Sequence, residues 1–332
     1  MKVAVIGAGA VGGTIAALLH RAGHEVEVTA RGEHLAAIAD GGIRLSGAWG
    51  EHVAHVTASE RLQSAPDIAF VSTKAHDAAA AVSDAGDLLD GIPVVVVQNG
   101  LGGVSGASTA NPRAQVVGAL ALFAASYLSP GDVAVTATGS VYLGADDAGA
   151  VILAEGVLGE VLPVVVTPDF SGALWTKLVV NQINALPAIT GMSAQAVIAH
   201  PGLRRIMTDG MRETVRVALV AGVRFAPLQG LSHPILAAFA WAPFQVAQLL
   251  PLLLARRMGV VPNPGSTLQS IRRGQRTEVD SLNGAVVHAA REAGHAAPVN
   301  SALVDLVHEV EANGSFLTPA EVIARTGRSG RR

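Results

Sequence analysis

The chain has 332 residues, of which 50% are hydrophobic and 15% charged, and its formal net charge is −3. This length suits two domains better than one core, and the apolar composition excludes a disordered chain. The slightly acidic balance gives no electrostatic reason to expect nucleic acid as a partner. The absence of cysteine excludes disulfides and thiolate metal sites and is compatible with a reducing cytoplasm.

The N-terminus does not predict a signal peptide, because MKVAVIGAG enters a strand directly and no cleavage site follows. The most membrane-like stretch, residues 234–261, is broken by prolines, glutamines and arginines. A true span needs about 20 predominantly apolar residues. We therefore expect buried helices there, packed in their own domain or against a second copy in a homodimer, and a cytoplasmic protein with no membrane partner.

A glycine-rich turn follows the first predicted strand, residues 3–6. Strand, G-x-G-x-x-G, helix and second strand follow one another within about thirty residues, the context that a dinucleotide-binding turn requires. Gly7 is expected to permit the tight turn, Gly9 to let the backbone approach a pyrophosphate, and Gly12 to let the helix pack closely. The candidate cofactor-binding residues of this turn are Gly7, Ala8, Gly9, Ala10, Val11 and Gly12.

The end of the second predicted strand indicates which dinucleotide binds. NAD-selective sites place a carboxylate there for the ribose hydroxyls, whereas this strand ends in Thr29, Ala30 and Arg31, and Glu27 comes too early. Arg31 can pair with a 2′-phosphate through its planar guanidinium group. Lys74 follows another apolar strand and supplies a second cation at the same edge. We predict NADPH over NADH; the alternative for Arg31 is a solvated arginine at a loop start.

Further apolar runs predict the rest of a mostly parallel, doubly wound sheet in an N-terminal α/β Rossmann domain. One of these runs ends in Gln98, Asn99 and Gly100, again at the carboxyl edge of the sheet. Asn99 is either a turn former, the usual role of Asn-Gly, or a carboxamide aimed at the nicotinamide or the substrate. The runs are residues 68–72, 93–100, 115–123, 140–144 and 162–168.

Long helical segments replace the strands from Asp169 onward, which is a candidate N-cap, and predict an all-α C-terminal domain. We place the boundary near residue 168, giving domains 1–168 and 169–332. The last short helix is expected to have Thr318 as its cap and Pro319 at its first position, and the terminal RTGRSGRR is expected to fray. The segments are 170–190, 193–199, 202–222, 234–258, 268–293 and 299–313.

A polar stripe marks the first of these helices, LWTKLVVNQINALPAIT. Lys177, Asn181 and Asn184 stand at i, i+4 and i+7, so they share one face of an otherwise apolar helix. A lysine near a developing alkoxide could supply a proton, and carboxamides can bind a hydroxyl or carboxylate without adding charge. The alternative for Lys177 is a snorkelling lysine whose stem covers apolar surface.

This arrangement of motifs resembles the ketopantoate reductase (2-dehydropantoate 2-reductase) family over nearly the whole chain. The resemblance rests on GAGAVG at 7–12, Arg31, TKA at 73–75, QNG at 98–100, the lysine helix, and STLQSIRRGQRTEVDSLNG at 266–284. It implies a Rossmann domain followed by a helical domain, and transfer of hydride from NADPH to the ketone carbon of ketopantoate, which yields pantoate for coenzyme A synthesis.

The resemblance also assigns roles to individual residues. It implies that Lys177 protonates or polarises the ketone oxygen, that Glu278 contacts the substrate hydroxyl and the surroundings of the lysine, and that Ser266 binds the substrate carboxylate. The carboxamides that it implies for the substrate site are those of Asn99, Asn181 and Asn184. Two departures concern the choice of substrate: Ser270 stands where relatives often have Asp, and the two helix asparagines are three residues apart where many relatives have four.

Other interpretations of the same residues stay open. Glu278 could be a solvated carboxylate on a charged helix face, and Ser266 could cap a helix that starts at Thr267, with or without a role in binding. His52 and His55 are interpreted as surface strand residues and not as a metal site. The three tryptophans, Trp49, Trp175 and Trp241, are interpreted as packing residues.

Two rival functions also remain: a relative that reduces another 2-oxo acid, and a non-catalytic NADPH-binding or sensor protein. The second would need neither Lys177 nor Glu278. In each case the expected partner is a small molecule.

Overall fold

Strands and helices alternate along the first half of the chain and helices follow in the second, as the computed structural model shows for residues 1–145 and 147–326. The chain divides into two compact units, Met1–Phe170 and Ser171–Arg332. The predicted fold class, an α/β unit with a mostly parallel sheet and then an all-α unit, is confirmed. That the units are separate domains with a boundary near residue 168 stays a prediction. Most of the expected frayed tail, residues 327–332, lies outside the described residues.

The first unit carries the strands and five of the described helices. Its strands are β1 (Lys2–Ile6), β2 (Glu25–Thr29), β3 (Ile43–Gly47), β4 (His52–Ala54), β5 (Thr57–Ser59), β6 (Ile68–Val71), β7 (Pro93–Val97), β8 (Gln115–Ala121), β9 (Ala124–Ser129), β10 (Asp132–Ala137), β11 (Val141–Gly144) and β12 (Val164–Val166). Its helices are α1 (Ala10–Arg21), α2 (Gly32–Gly41), α3 (Ala78–Ala85), α4 (Gly103–Ala110) and α5 (Ala148–Gly159).

The larger sheet has the strand order β12-β11-β8-β7-β6-β1-β2-β5. Its neighbouring strands are parallel except for β8 and β11, which pair antiparallel. The central strands β1, β6 and β7 are almost completely buried, which explains their continuous runs of valine, isoleucine and alanine. Because these strands are parallel, their carboxyl ends meet at one edge of the sheet, where the glycine-rich turn follows β1.

A second sheet, in the order β4-β3-β10-β9, was not predicted from the sequence. Its strands alternate buried and exposed residues, as in the pattern of β10, instead of forming continuous apolar runs. A search for apolar runs therefore misses them. This second sheet explains why α1 is buried on every side. Residues Gly12–Leu19 are all buried because the helix contacts strands of both sheets.

The second unit consists of helices and short 3₁₀ turns in the part that the structure describes. The helices are α6 (Phe170–Asn181), α7 (Ala185–Thr190), α8 (Ala194–Ala199), α9 (Pro201–Val220), α10 (His233–Trp241), α11 (Phe244–Ala247), α12 (Leu249–Arg257), α13 (Gly265–Arg272), α14 (Asn283–Glu292), α15 (Pro298–Asn313) and α16 (Pro319–Thr326). The cap of α16 is confirmed, since Glu321 N donates to Thr318 Oγ1 at 3.4 Å and Thr318 N donates to Glu321 Oε2 at 2.7 Å.

Two of the predicted helices are broken by non-helical residues, and a third, 170–190, changes to a 3₁₀ turn at Gln182–Asn184. The segment 234–258 divides at Pro243, because proline lacks an N–H donor and holds the preceding Ala242 in an extended conformation with ψ 151°. The segment 268–293 divides after Arg272: Gly274 takes a φ of +62°, and a 3₁₀ turn (Val279–Ser281) intervenes before α14. The prediction of one continuous helix was wrong in both places.

Several large apolar side chains of the 234–258 region are not buried within this chain, so packing in their own domain is wrong for them, while packing against a second copy stays a prediction. Trp241 is 71% exposed and lies under the Arg216 guanidinium group, so it is not a packing residue like Trp175, which is 5% exposed. The other exposed members are Ile235, Val246, Leu249, Leu252 and Leu253. Among the described residues no helix combines the length and apolarity that crossing a membrane requires.

Candidate active site

The glycine-rich turn has the close contacts that its spacing predicts. Gly7 has a φ of +95°, and a Cβ atom there would lie 2.8 Å from Thr73 N. A Cβ on Gly12 would lie 2.1 Å from the Gly7 carbonyl oxygen, so only glycine lets α1 start this close to the turn. A Cβ atom on Gly9 would have no other atom within 4 Å, so this side of the turn is open to a ligand.

The turn is held by hydrogen bonds from two sides. Gly7 N donates to Thr29 Oγ1 at 3.0 Å and Ala8 N donates to Thr29 O at 3.0 Å. His34 Nε2 lies 2.6 Å from Ala8 O, while His34 Nδ1 accepts from Gly131 N at 3.0 Å. These partners assign the proton of a neutral imidazole to Nε2. Sequence reasoning missed this bond because Gly131 lies in the unpredicted β9–β10 hairpin.

A cavity of about 430 Å³ opens beside the turn at the carboxyl edge of the sheet. Arg31 and Lys74, the two predicted cofactor cations, both line it. Arg61 lines it as well and was not predicted, because it follows β5, a strand that the sequence pattern did not reveal. The cavity wall therefore carries three cations that could pair with phosphates, together with the carboxylates of Glu60, Asp77 and Asp84.

Glu27 is accounted for by internal hydrogen bonds. Its carboxylate is buried and accepts from Gln63 N at 2.6 Å and from Ser64 Oγ at 2.8 Å. The carboxylate therefore ties the loop after β5 to β2. This agrees with its exclusion as a ligand for ribose hydroxyls.

Buried polar atoms beside the turn indicate that the site fits a dinucleotide. Ser72 Oγ, Thr73 Oγ1 and Gln98 Oε1 have no hydrogen-bond partner within the described part of the chain. Such atoms usually mark a ligand or water site, since an unsatisfied buried group is costly. Asn99 is half-buried directly after Gln98 at the end of β7. The tight glycine turn, the cations and these polar atoms together suit phosphates, ribose and a polar ring.

The second candidate group lies on α6 and in the loop before α14. Lys177 is half-buried, and its burial lowers its pKa to about 8, an effect that the nearby Glu278 carboxylate opposes. Glu278 is half-buried in the loop that leads into the 3₁₀ turn Val279–Ser281, so its interpretation as a solvated helix carboxylate is wrong. The structure therefore places a lysine whose pKa is lowered by burial near a carboxylate that partly opposes the shift, which makes Lys177 a candidate acid.

The three polar residues of the stripe are all half-buried, but the helix changes form between the two asparagines. After Asn181 the chain forms a 3₁₀ turn, Gln182–Asn184. A 3₁₀ helix has three residues per turn, so residues three apart eclipse each other. In a regular α-helix the shorter spacing would rotate the second asparagine by about 100° relative to a four-residue step. The 3₁₀ turn offsets most of that rotation.

Ser266 lies in the first turn of α13 and does not cap it. The helix begins at Gly265 after Pro264, and no side-chain cap bond forms, so the capping interpretation is wrong. Ser266 is exposed, whereas Ser270 is buried one turn later. Gly265 brings α13 close to the lysine helix: it has a φ of +71°, and a Cβ there would lie 2.6 Å from Asn184 Oδ1.

His52 and His55 lie in different surroundings. His52 lies in β4 as predicted, and its Nε2 is 3.0 Å from His20 Nδ1, whereas His55 follows the strand. Over residues 1–145 and 147–326 no group of three or more histidine, aspartate or glutamate side chains could hold a metal ion.

A glycine turn at the carboxyl edge of a mostly parallel sheet, followed by a helical unit with a partly desolvated lysine, defines a Rossmann-fold oxidoreductase. Residues 3–148 match the family model "Ketopantoate reductase PanE/ApbA" and residues 169–311 match its C-terminal counterpart. The chain belongs to the ketopantoate reductase family.

Individual relatives agree with this assignment. The chain is 30% identical to the 2-dehydropantoate 2-reductase of Halobacterium salinarum over 95% of its own length and 100% of the relative's. It is 27% identical to the enzyme of the same name from Pyrococcus horikoshii, covering 95% and 99% of the two chains. A PanE/ApbA family ketopantoate reductase of known structure from Ralstonia eutropha is 29% identical, with a TM-score of 0.79 over 94% of this chain and 99% of that one.

The fold extends to a more distant enzyme. The structure of D-mandelate dehydrogenase with NADH and anilino(oxo)acetate has a TM-score of 0.81 at 22% identity, with 94% of this chain and 99% of that chain covered. At this identity the likeness concerns the fold alone.

Proposed function

We propose that the chain reduces 2-dehydropantoate (ketopantoate) to pantoate with NADPH, a step of pantothenate and coenzyme A biosynthesis. The observation that carries this proposal is Lys177, whose pKa is lowered to about 8 beside Glu278, on a helix face with two carboxamides. The relatives named 2-dehydropantoate 2-reductase over the full chain support the substrate.

The chemistry assigned to Lys177 is proton donation. When bound, NADPH supplies the hydride that adds to the ketone carbon, and the carbonyl oxygen then carries a developing negative charge. The Lys177 ammonium group donates its proton to that oxygen, which gives the hydroxyl of pantoate and leaves a neutral amine. Desolvation favours this transfer because it lowers the pKa of the lysine toward neutrality. Glu278 keeps part of the lysine population protonated.

The substrate's remaining polar groups are assigned to uncharged side chains. Asn181 and Asn184 offer amide donors and acceptors from the lysine helix, and Asn99 offers another from the end of β7. Ser266 is the candidate ligand of the substrate carboxylate. None of these groups adds a charge that would need a partner of its own.

NADPH is proposed over NADH on the basis of Arg31 and Lys74. We expect Arg31→Ala to raise the dissociation constant of NADPH about ten- to a hundredfold, because a charged hydrogen bond to the 2′-phosphate contributes about 1.5–3 kcal/mol. The dissociation constant of NADH should stay within about twofold, since NADH lacks that phosphate. Fluorescence titration of the purified variant with each dinucleotide measures both values. Equal weakening of the two would remove Arg31 from the 2′-phosphate.

The pH dependence follows from the protonation of Lys177. Its pKa near 8 lies below the ordinary value of 10.5, so the acid is protonated below pH 8 and lost above it. We expect kcat/KM for ketone reduction to be level below pH 8 and to fall about tenfold per pH unit at higher pH.

Glu278→Gln provides the sharper form of the pH test. The Glu278 carboxylate raises the pKa of Lys177. Removal of this carboxylate should therefore shift the fall of kcat/KM at alkaline pH to lower pH. The profile of kcat/KM for wild type and variant, measured with saturating NADPH, checks the direction. If the alkaline fall of kcat/KM stays at the same pH or moves to higher pH, the assignment of Lys177 as the acid beside Glu278 is contradicted.

The test of the proposed function is a panel of 2-oxo acids, including ketopantoate and benzoylformate, followed by the loss of NADPH absorbance. The proposal expects ketopantoate to have the highest kcat/KM. A higher value for another 2-oxo acid would make the chain a reductase of that substrate. If NADPH binds but no 2-oxo acid is reduced, the chain is a binding or sensor protein.

The proposed enzyme acts in the cytoplasm as a homodimer. The exposed apolar side chains of α10–α12, including Trp241, Leu249 and Leu253, support a second copy as the partner. Sedimentation velocity of the purified protein tests this, and a monomer at micromolar concentration would contradict it.

A further inference from the structure

A chain of buried polar side chains crosses the helical unit and ends at the lysine helix. Gln182, Asn283 and Asn300 are each no more than 1% exposed. Asn283 Nδ2 donates to Gln182 Oε1 at 2.7 Å and to Asn300 Oδ1 at 3.0 Å. Asn300 Nδ2 in turn donates to Glu213 Oε2 at 2.7 Å and to Gly210 O at 3.2 Å. The residues come from α9, α14, α15 and the 3₁₀ turn after α6, so the chain links four segments.

Backbone groups at both ends fix the orientation of every amide in this chain. Gly210 O can only accept, so the nitrogen of Asn300 must face it and the oxygen must face Asn283. At the other end Gln182 Nε2 donates to Leu178 O at 3.3 Å, which turns the Gln182 oxygen toward Asn283 as well. Asn283 therefore has to present two N–H donors, and asparagine at this position can do so where aspartate cannot.

Gln182 is the link between this chain and the candidate substrate site. It occupies the first position of the 3₁₀ turn Gln182–Asn184, between the two asparagines of the polar stripe. Its side chain is anchored from one side by Asn283 and from the other by Leu178. Since a 3₁₀ turn has poorer hydrogen-bond geometry than an α-helix, it needs such support to persist. Three residues per turn would bring Asn181 and Asn184 toward one face, so their arrangement depends on this turn.

We propose that Asn283 is a positioning residue for substrate binding, which acts through Gln182 to hold the 3₁₀ turn and so the two carboxamides, Asn181 and Asn184. This inference rests on the proposed function, because it takes these carboxamides as ligands of the 2-oxo acid. It assigns Asn283 and Asn300 a role in substrate affinity although neither belongs to the polar stripe.

The test is Asn283→Asp, which conserves size but sets carboxylate oxygens against two amide oxygens. We expect the KM for ketopantoate to rise about tenfold, because a broken buried hydrogen bond costs about that much in an equilibrium constant. The kcat should stay within about twofold. The contacts that are lost stabilise the bound substrate and the transition state equally, so their loss raises KM alone. The dissociation constant of NADPH should not change.

Two further variants separate positioning from loss of stability. Thr208→Val removes another buried hydrogen bond of α9, from Thr208 Oγ1 to Arg204 O at 2.8 Å, and should lower Tm without raising KM. Gln182→Met removes the acceptor at nearly constant volume and should raise KM as Asn283→Asp does. The double variant should raise KM no more than the larger single change, since both variants break the hydrogen bond between Asn283 and Gln182.

The outcomes distinguish this inference from the proposed function. An unchanged KM in Asn283→Asp, or the same increase in Thr208→Val, overturns the positioning role while wild-type reduction of ketopantoate stands. If Asn283→Asp does not fold, an unchanged KM in Gln182→Met overturns it. If the wild type reduces no 2-oxo acid, the proposed function fails first, and the positioning role fails with it.

Discussion

Replacement of Lys177 by alanine is expected to lower kcat for 2-oxo acid reduction about 10²–10⁴-fold, the usual contribution of a general acid. The variant loses the only proton donor that we assign to the ketone oxygen, and water must then protonate the developing alkoxide. NADPH should bind as before, because the residues proposed to hold it are in the glycine turn and at Arg31 and Lys74. Steady-state kinetics and fluorescence titration with NADPH measure the two effects separately.

Lys177→Met is the matched control for folding. It fills the half-buried position with an apolar side chain of similar length, so Tm should stay level or rise, since a charge is no longer buried. Its kcat should be as low as that of Lys177→Ala. Activity that survives either change would show that the acid is misassigned, whereas a fall in Tm together with kcat would point to a structural role.

Replacement of Gly12 by alanine is expected to have the second large effect, on both stability and dinucleotide binding. The new Cβ would lie 2.1 Å from the Gly7 carbonyl oxygen and 3.0 Å from Ser72 Cβ, and backbone atoms cannot give way cheaply. Overpacking of this kind costs about 1–3 kcal/mol, which corresponds to a fall in Tm of about 2–4 °C for each kcal/mol. Because the turn itself must shift, the dissociation constant of NADPH should rise at least about tenfold.

Gly9→Ala is the matched control, because its new Cβ meets nothing within 4 Å and its φ of −66° suits alanine. Without ligand its Tm should equal that of the wild type. Binding of NADPH should nevertheless weaken, since the methyl group would project into the open side of the turn. Thermal unfolding and titration of both variants distinguish the two effects. If Gly12→Ala unfolds at the wild-type temperature, the turn is more adaptable than its contacts indicate.

The local features of this protein could be predicted from the sequence because neighbouring residues determine them. The turn from Gly7 to Gly12 needs only glycines at fixed spacing after a buried strand. The stripe of Lys177, Asn181 and Asn184 needs only helical periodicity, and the cap at Thr318 needs only Glu321 three residues later. Each depends on contacts within one or two turns of the chain, and such contacts leave a pattern in the sequence.

What the tertiary structure decided depends on residues far apart in the chain. The partner of His34 is Gly131, in a sheet whose short alternating strands gave no clear signal. Arg61 reaches the cavity because β5 pairs with β2, a pairing that no local pattern indicates.

The 3₁₀ turn at Gln182 shows the same dependence on the tertiary structure. A regular α-helix is the local preference, and the bond to Asn283, 101 residues away, supports the tighter turn. Long-range hydrogen bonds override local propensity where a buried amide must find its partner, because an unpaired amide costs more than a change of helix type. For this reason the sequence alone indicated which side chains are candidates for the site, and the tertiary structure decided how they are held.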